Sequence, residues 1–205
     1  MMRLKIRELR VDIEFLPLAA ICLVCLLYEP RIVAICLASA IIHELGHIAA
    51  ALLCRVKGIK VRAEVFSFRI DGASVNFLCF WKNIFVLTGG IAANSTLVLF
   101  SFLLSRVYDS ELLPIIFCIN LSQQIMNMLP IRPLDGGNIA ELVLLRLMPY
   151  DRALSVMETA ERLLLALLLI AIVAWFVLCK SFNLTLALLW LVLCFSRLQA
   201  LHLRA

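Results

Sequence analysis

Six apolar segments, each long enough or nearly long enough to cross a lipid bilayer, constrain the fold of this chain more than any other feature. A helix needs roughly 20 mostly apolar residues to cross the hydrocarbon core. Hydrophobic residues make up 64% of the 205 residues, against about 45–50% in soluble proteins. This excess excludes a disordered chain and argues against a soluble globular one. We therefore predict an all-α polytopic membrane protein with about six transmembrane helices. The predicted spans are residues 13–28, 32–54, 84–105, 112–129, 163–179 and 182–201.

The basic residues predict the orientation of these spans, because positively charged loops favour the cytoplasmic side of a membrane. Of the 19 lysines and arginines, only Arg31, Arg106 and Lys180 lie in loops on one side of the predicted topology. All the others lie in the two tails and in the loops on the opposite side. We therefore predict an even number of spans with both termini cytoplasmic. The net charge of +5 is small and scattered, which argues against nucleic-acid binding.

One polar insertion, residues 55–82, interrupts the apolar pattern. Apolar and polar residues alternate on both sides of Asp71-Gly72, and an Asp-Gly pair between alternating runs is a strong hairpin signal. We therefore predict a small cytoplasmic β-hairpin over residues 60–77, between spans two and three. Its open edge offers a place where an unwound peptide strand could add.

Nearly all of the eight cysteines lie in apolar runs. Cys22 and Cys25 have the spacing of a redox pair or a metal clip. Neither a second pair nor a polar setting accompanies them. Cysteine is also a common small hydrophobic residue, so we interpret this pair as part of a spanning helix.

The second predicted span contains the sequence His43-Glu44-Leu45-Gly46-His47. Ionisable residues cost about 2.5–3.5 kcal/mol each at the centre of a spanning helix, so they indicate function. Residues four apart share one helix face, so both imidazoles can reach a single ion. In this H-E-x-x-H pattern two histidines bind zinc and the glutamate acts as general base. The alternative is a pair of core histidines satisfied by hydrogen bonds.

Two histidines do not complete a catalytic zinc site, which usually has three protein ligands. The only other histidine, His202, lies beyond the last predicted span, so a carboxylate or a thiolate must supply the third bond. Asp135 is the best candidate, because Pro130, Pro133 and two following glycines predict a non-helical turn around it. The topology places this turn and His47 towards the same side of the membrane. A helix-capping or turn role for Asp135 is the alternative.

A third polar feature, Thr88-Gly89-Gly90-Ile91-Ala92-Ala93-Asn94, lies near the start of span three. Small residues at helical spacing allow close helix packing in membranes, which is the structural explanation of the glycines. Asn94 needs another explanation, because a buried amide requires partners. An amide that points into the site is able to hold a substrate carbonyl or an oxyanion.

These motifs together resemble the site-2 protease family of intramembrane zinc metalloproteases. The H-E-x-x-H motif and the later Leu134-Asp135-Gly136 turn occur in the family's order. The six-span plan resembles the compact bacterial branch, which includes the sporulation protease that releases a sigma factor from its membrane-bound precursor. This resemblance implies a multi-pass protein of a bacterial plasma membrane.

The resemblance also implies roles for particular residues. It implies His43, His47 and Asp135 as zinc ligands and Glu44 as the catalytic base. The family's Gly-Pro-x-x-Asn element matches residues 90–94, with Ile91 where proline is usual. The resemblance implies that Asn94, and Asn127 upstream of the aspartate, bind substrate.

Members of this branch often carry a nucleotide-sensing CBS domain after the last span, whereas this sequence ends at Ala205. No inserted PDZ domain fits in the predicted loops. We therefore expect a single intramembrane metalloprotease domain over residues 1–205.

The sequence and the resemblance together favour hydrolysis of a peptide bond in or near a transmembrane segment of another protein, with Zn²⁺ as cofactor and the bilayer as environment. The alternative is a non-hydrolytic zinc-binding membrane protein, such as a transporter, a scaffold or an inactive protease-like adaptor. An internal repeat, which transporters often show, is not evident in this chain. The sequence does not indicate the substrate or the oligomeric state.

Overall fold

A computed structural model describes residues 2–6, 9–13, 29–56, 60–63, 68–71, 79–132 and 134–180, together with seven helical positions between 187 and 197. The chain divides into two compact units, Met1–Met128 and Leu129–Ala205. Each unit is described by itself.

Among the described residues, the first unit has three helices: α1 is Pro30–Leu53, α2 is Phe80–Leu104 and α3 is Leu112–Asn127. Helix α1 begins at Pro30, whose fixed φ and missing N–H suit the first helical position. It ends just before Arg55, which has a left-handed φ of 57°, a conformation that commonly terminates helices.

Two glycines allow α1 and α2 to approach closely. A Cβ atom on Gly46 would lie 2.9 Å from the carbonyl carbon of Gly89, and a Cβ on Gly89 would lie 2.9 Å from the Cβ of Ala50. No side chain fits at either distance, so glycine is required at both positions. This is the close packing of small residues that membrane helices use in place of a hydrophobic driving force.

Helix α3 is joined to α1 and α2 by polar side chains. Ser39 Oγ lies 2.5 Å from the amide oxygen of Asn120 and 2.7 Å from that of Gln123, and these two acceptors share its one hydrogen. Gln124 Nε2 donates to Ser95 Oγ of α2 at 2.9 Å. Interhelical hydrogen bonds of this kind hold membrane helices in register.

The first unit also contains a four-stranded sheet in the order β1-β2-β3-β4. Strands β1 (Met2–Ile6) and β2 (Leu9–Ile13) are antiparallel, and β2 runs parallel to β3 (Lys60–Ala63). Strand β4 (Phe68–Asp71) is antiparallel to β3, with Lys60 opposite Asp71 and Ala63 opposite Phe68.

This pairing does not support the hairpin as it was predicted from the sequence. Asp71, expected at the turn, lies in strand β4 opposite Lys60 of β3. The predicted return strand at 73–77 lies outside the described residues. The protein is therefore not simply all-α with one hairpin, because the N-terminal residues join the sheet as well.

The second unit contains α4 (Asp135–Leu147) and α5 (Tyr150–Cys179). Its buried apolar side chains include Ile131, Ala153, Met157 and Leu165. Helix α5 ends at Lys180, which has a left-handed φ of 48°. Its second half exposes large apolar side chains such as Phe176 and Leu178, as expected for a helix that faces lipid.

Three of the described helices, α1, α2 and α5, are long and apolar enough to cross a membrane. The predicted count of six spans is not supported. Helix α3 corresponds to the fourth predicted span but has only 16 residues, because the chain leaves the helix before Pro130. Ile13, the predicted start of span one, lies in β2. The rest of that span and most of 182–201 lie outside the described residues.

Candidate metal centre

His43 and His47 lie on one face of α1, as the sequence predicted. Both are buried, with 4% and 5% of their surface exposed. Their Nε2 atoms are 3.2 Å apart and their rings are nearly perpendicular, at 85°. Two nitrogens bound to one tetrahedral zinc at about 2.0–2.1 Å lie roughly 3.3–3.4 Å from each other. The pair therefore already has the separation that a shared zinc ion requires.

A main-chain carbonyl of α2 sets the tautomer of His47. The Nδ1 atom of His47 lies 2.8 Å from the carbonyl oxygen of Val86. A carbonyl oxygen only accepts, so Nδ1 carries the hydrogen and Nε2 keeps its lone pair. The Gly90 N–H, 3.4 Å from the same Nδ1, is then a neighbour and not a donor. Zinc-bound histidines are usually oriented in this way by a carbonyl or a carboxylate.

Gly90 of α2 leaves room for both imidazoles. A Cβ atom at this position would lie 2.6 Å from His43 Nε2 and closer still to His47 Nε2. Any side chain here would therefore occupy the space beside the two candidate ligand atoms. Helix packing, the structural explanation of the glycines, accounts for Gly89, whereas Gly90 serves the histidine pair.

Two asparagines lie in the same unit as the histidines. Asn127, the last residue of α3, places its Nδ2 atom 3.2 Å from His43 Nε2. Asn94 of α2 is completely buried, and neither its Oδ1 nor its Nδ2 has a hydrogen-bond partner among the described residues. Buried polar atoms without partners are rare and costly. The Asn94 amide is thus an exception to this rule within the described part of the chain.

The remaining residue of the motif, Glu44, follows His43 on α1 and is partly buried. It is thus one residue from one candidate ligand and three from the other, on a helix whose geometry is regular through this segment.

Asp135 belongs to the second unit, where it is the first residue of α4. The turn before it closes on itself, since the Leu134 N–H donates to the carbonyl of Ile131 at 2.9 Å. A Cβ atom on Gly137 would lie 2.7 Å from the Arg132 nitrogen, so glycine is required where the first turn of α4 meets this segment. The predicted non-helical turn is present before Asp135, but Asp135 and the two glycines after it lie in the first turn of α4 and not in the turn. An acidic residue in the first turn also suits the helix dipole, so this position is consistent with the capping alternative as well.

A buried ion pair beside this turn was not predicted from the sequence. Arg132 donates to the carboxylate of Glu161, with 2.7 Å from Nε to Oε1 and 3.0 Å from Nη2 to Oε2. Arg197 Nε lies 3.3 Å from Oε2. The hydrogen bond to Glu161 raises the pKa of Arg132 above its ordinary value. The signal was present, since Glu161 lies two residues before a long apolar run, but the predicted span began after it.

Three comparisons place these features among known proteins. The model of peptidase family M50 matches residues 108–171, a segment that includes Asn127 and Asp135 but not the histidine pair. No protein of curated function matches the sequence significantly. The fold is similar to that of the site-2 protease from Methanocaldococcus jannaschii, with a TM-score of 0.67 and 19% identity over 97% of this chain and 94% of that one.

The apolar helices α1, α2 and α5 are those of an integral membrane protein. The family-model match over residues 108–171 and the similar fold agree with the resemblance to site-2 proteases that the sequence motifs carry.

Proposed function

We propose that the protein is a zinc endopeptidase that cleaves a peptide bond in or near a transmembrane segment of another membrane protein. The observation that carries this proposal is the buried pair of imidazoles on α1, with Nε2 atoms 3.2 Å apart. Val86 orients the His47 ring through Nδ1, so that its Nε2 faces Nε2 of His43.

The donor set that we propose for zinc is His43, His47 and Asp135, two imidazole nitrogens and one carboxylate oxygen. Three such ligands with a fourth open position are typical of catalytic zinc. Support for Asp135 comes from its place at the start of α4 after a closed turn and from the family match over this segment. When bound, zinc would polarise the scissile carbonyl and lower the pKa of a coordinated water.

The residues of the chain carry the proton and hold the substrate in this proposal. Glu44 takes a proton from the attacking water and passes it to the leaving amine, as a general base and then a general acid. The Asn94 amide, for which the described part of the chain provides no partner, forms hydrogen bonds with polar groups of the substrate backbone. Asn127, whose Nδ2 lies 3.2 Å from a candidate ligand atom, is able to donate to a carbonyl held there.

A substrate helix hides its carbonyls in hydrogen bonds and must unwind before it is cut. Strand β4 is the last strand in the order of the described sheet, so its outer edge offers main-chain groups to an unwound strand. The distribution of basic residues supports cytoplasmic termini in a bacterial plasma membrane. In this topology one product is released on the cytoplasmic side.

The first experiment measures the zinc content of the detergent-purified protein and of His47→Ala and Asp135→Ala. We expect about one zinc per chain in the wild type and its loss in both variants. Zinc that survives Asp135→Ala would show that another residue is the third ligand. A well-folded wild type that takes up no zinc would contradict the whole proposal.

The second experiment separates an enzyme from a non-hydrolytic zinc protein. Glu44→Gln should keep zinc and lose about 10²–10⁴-fold in rate, the usual contribution of a general base. The substrates are fluorescently labelled single-span peptides reconstituted with the protein in lipid vesicles. The matched control is Glu29→Gln, at the exposed start of α1, which should cleave at the wild-type rate. Equal activity of both variants would favour a transporter, a scaffold or an adaptor.

A further inference from the structure

Glu161 has an unusual position in the second unit. It lies in α5, is completely buried, and receives four hydrogen bonds. Arg132 donates three of them, from its main-chain N–H at 3.0 Å, its Nε at 2.7 Å and its Nη2 at 3.0 Å. Arg197 donates the fourth from Nε at 3.3 Å. A single carboxylate thus binds both the side chain and the main chain of Arg132.

Stability alone does not explain a charged group at this place. Removing two charges from water costs several kcal/mol per ion, and replacing such a pair with apolar residues of similar volume is often neutral or stabilising. What the carboxylate supplies, and an apolar side chain does not, is a directional acceptor for a main-chain N–H. Its contribution is therefore better sought in geometry than in stability.

The main-chain bond has a specific consequence for the turn that precedes α4. Within this turn the Ile131 N–H donates to Leu129 at 2.8 Å and the Leu134 N–H donates to Ile131 at 2.9 Å. The Arg132 N–H instead leaves the turn and reaches Glu161, 29 residues later. Asp135 follows three residues after Arg132, so this bond ties the chain to α5 close to the aspartate.

We propose that Glu161 is a positioning residue for Asp135: by accepting both the main-chain N–H and the guanidinium of Arg132, it holds the turn that presents the aspartate to zinc. This inference rests on the proposed function, because it takes Asp135 to be a zinc ligand. It predicts that an uncharged residue at position 161 weakens metal binding although position 161 itself does not bind the metal.

The test is zinc affinity, measured by competition with a chromophoric chelator, for the full chain in detergent. Glu161→Gln keeps the size of the side chain but loses its charge and one of its two acceptor oxygens. We expect the affinity to fall about tenfold, within the range found when residues that support metal ligands are changed. The visible spectrum of the cobalt(II)-substituted protein should change as well, since it reports ligand geometry.

The matched control is Glu158→Gln, the same substitution three residues earlier in α5. Glu158 forms an ion pair with Arg162, whose side chain is 65% exposed. The Glu158→Gln variant should therefore have the zinc affinity and the cobalt spectrum of the wild type. Equal zinc affinities of Glu161→Gln and the wild type would overturn the inference. So would equal losses in the two glutamine variants.

A double-variant cycle distinguishes positioning from a general weakening of the fold. If Glu161 acts through Asp135, then Asp135→Ala and Asp135→Ala with Glu161→Gln should bind the metal with the same residual affinity. A further loss in the double variant, as large as the loss in the wild-type background, would overturn the proposal. A wild type that binds no zinc would remove the proposed function and this inference together.

Should Glu161→Gln not fold, Glu161→Asp serves in its place. It keeps the charge but withdraws the carboxylate by one methylene from the Arg132 N–H. We expect a weaker zinc affinity here too, and wild-type affinity in a well-folded Glu161→Asp protein would overturn the inference.

Discussion

The two units hold their candidate metal ligands by different means. In the first unit, the imidazoles of His43 and His47 project from one face of a regular helix, and Gly90 and Val86 of α2 leave room for them and orient one of them. In the second unit, Asp135 starts a helix after an irregular turn, and that turn is tied through Arg132 to a carboxylate in α5. Helix geometry places the two candidate histidine ligands, whereas a contact between residues distant in sequence holds the turn before Asp135.

This difference predicts how each unit responds to substitution. The first unit is stabilised by close packing of glycines and by uncharged interhelical hydrogen bonds, each of modest energy in a membrane. The second unit contains a buried ion pair, and removing one of its partners costs far more free energy than losing one uncharged hydrogen bond. Three substitutions that are measured on one scale, the free energy of unfolding in detergent, test the comparison.

Arg132→Met should give the largest effect. It leaves the buried carboxylate of Glu161 with Arg197, at 3.3 Å, as its remaining basic partner. Removing one partner from a buried ion pair typically costs about 3–5 kcal/mol. The control is Arg162→Met, which breaks the exposed pair with Glu158 and should cost no more than about 0.5 kcal/mol. Similar losses in the two variants would mean that the second unit does not depend on its buried charge.

Gly46→Ala should have an intermediate effect. The added Cβ would meet the main chain of Gly89. A helix main chain cannot adjust locally as a flexible side chain can, so α1 and α2 must move apart as whole helices. Overpacking of this kind costs about 1–3 kcal/mol. Ala49→Cys, which also adds one heavy atom to α1 but on its exposed side, is the control and should unfold like the wild type. An unchanged stability of Gly46→Ala would show that the two helices are not in close contact.

Ser39→Ala should have the smallest effect of the three. It removes the hydroxyl that bridges to Asn120 and Gln123 of α3, and interhelical hydrogen bonds in membranes contribute about 0.6 kcal/mol on average. Ser101→Ala is the control, because that buried hydroxyl donates only to carbonyls of its own helix, those of Leu97 and Val98. A loss at Ser39 as large as that of Arg132→Met would reverse the comparison between the units.

Local patterns in the sequence were sufficient for the histidine pair. The spacing of four residues puts His43 and His47 on one face whatever the rest of the chain does, and the structure confirms that face. The same reasoning found the turn before Asp135, because proline and glycine act on their own main chain. The zinc-ligand and catalytic roles of these residues remain predictions.

The sheet shows where local patterns were insufficient. Residues 2–6 and 9–13 alternate between apolar and charged side chains, which is typical of strands, but the predicted elements began only with the span at residue 13. The Asp71-Gly72 pair predicted the turn of a hairpin, but Asp71 lies in strand β4 opposite Lys60 of β3. A strand's partner and register depend on the whole sheet, and the parallel pairing of β2 with β3 joins residues about fifty positions apart.

The sequence by itself therefore determined the membrane environment, the helical face that carries the imidazoles and the break in the chain before Asp135. These properties follow from hydropathy, helical periodicity and the main-chain chemistry of proline and glycine, all of which act over a few residues. Only the tertiary structure decided that Gly90 makes room for the histidines, that Asn94 is buried without a partner among the described residues and that Glu161 binds the turn of Arg132. Each of these is a contact between residues far apart in sequence, which no local pattern encodes.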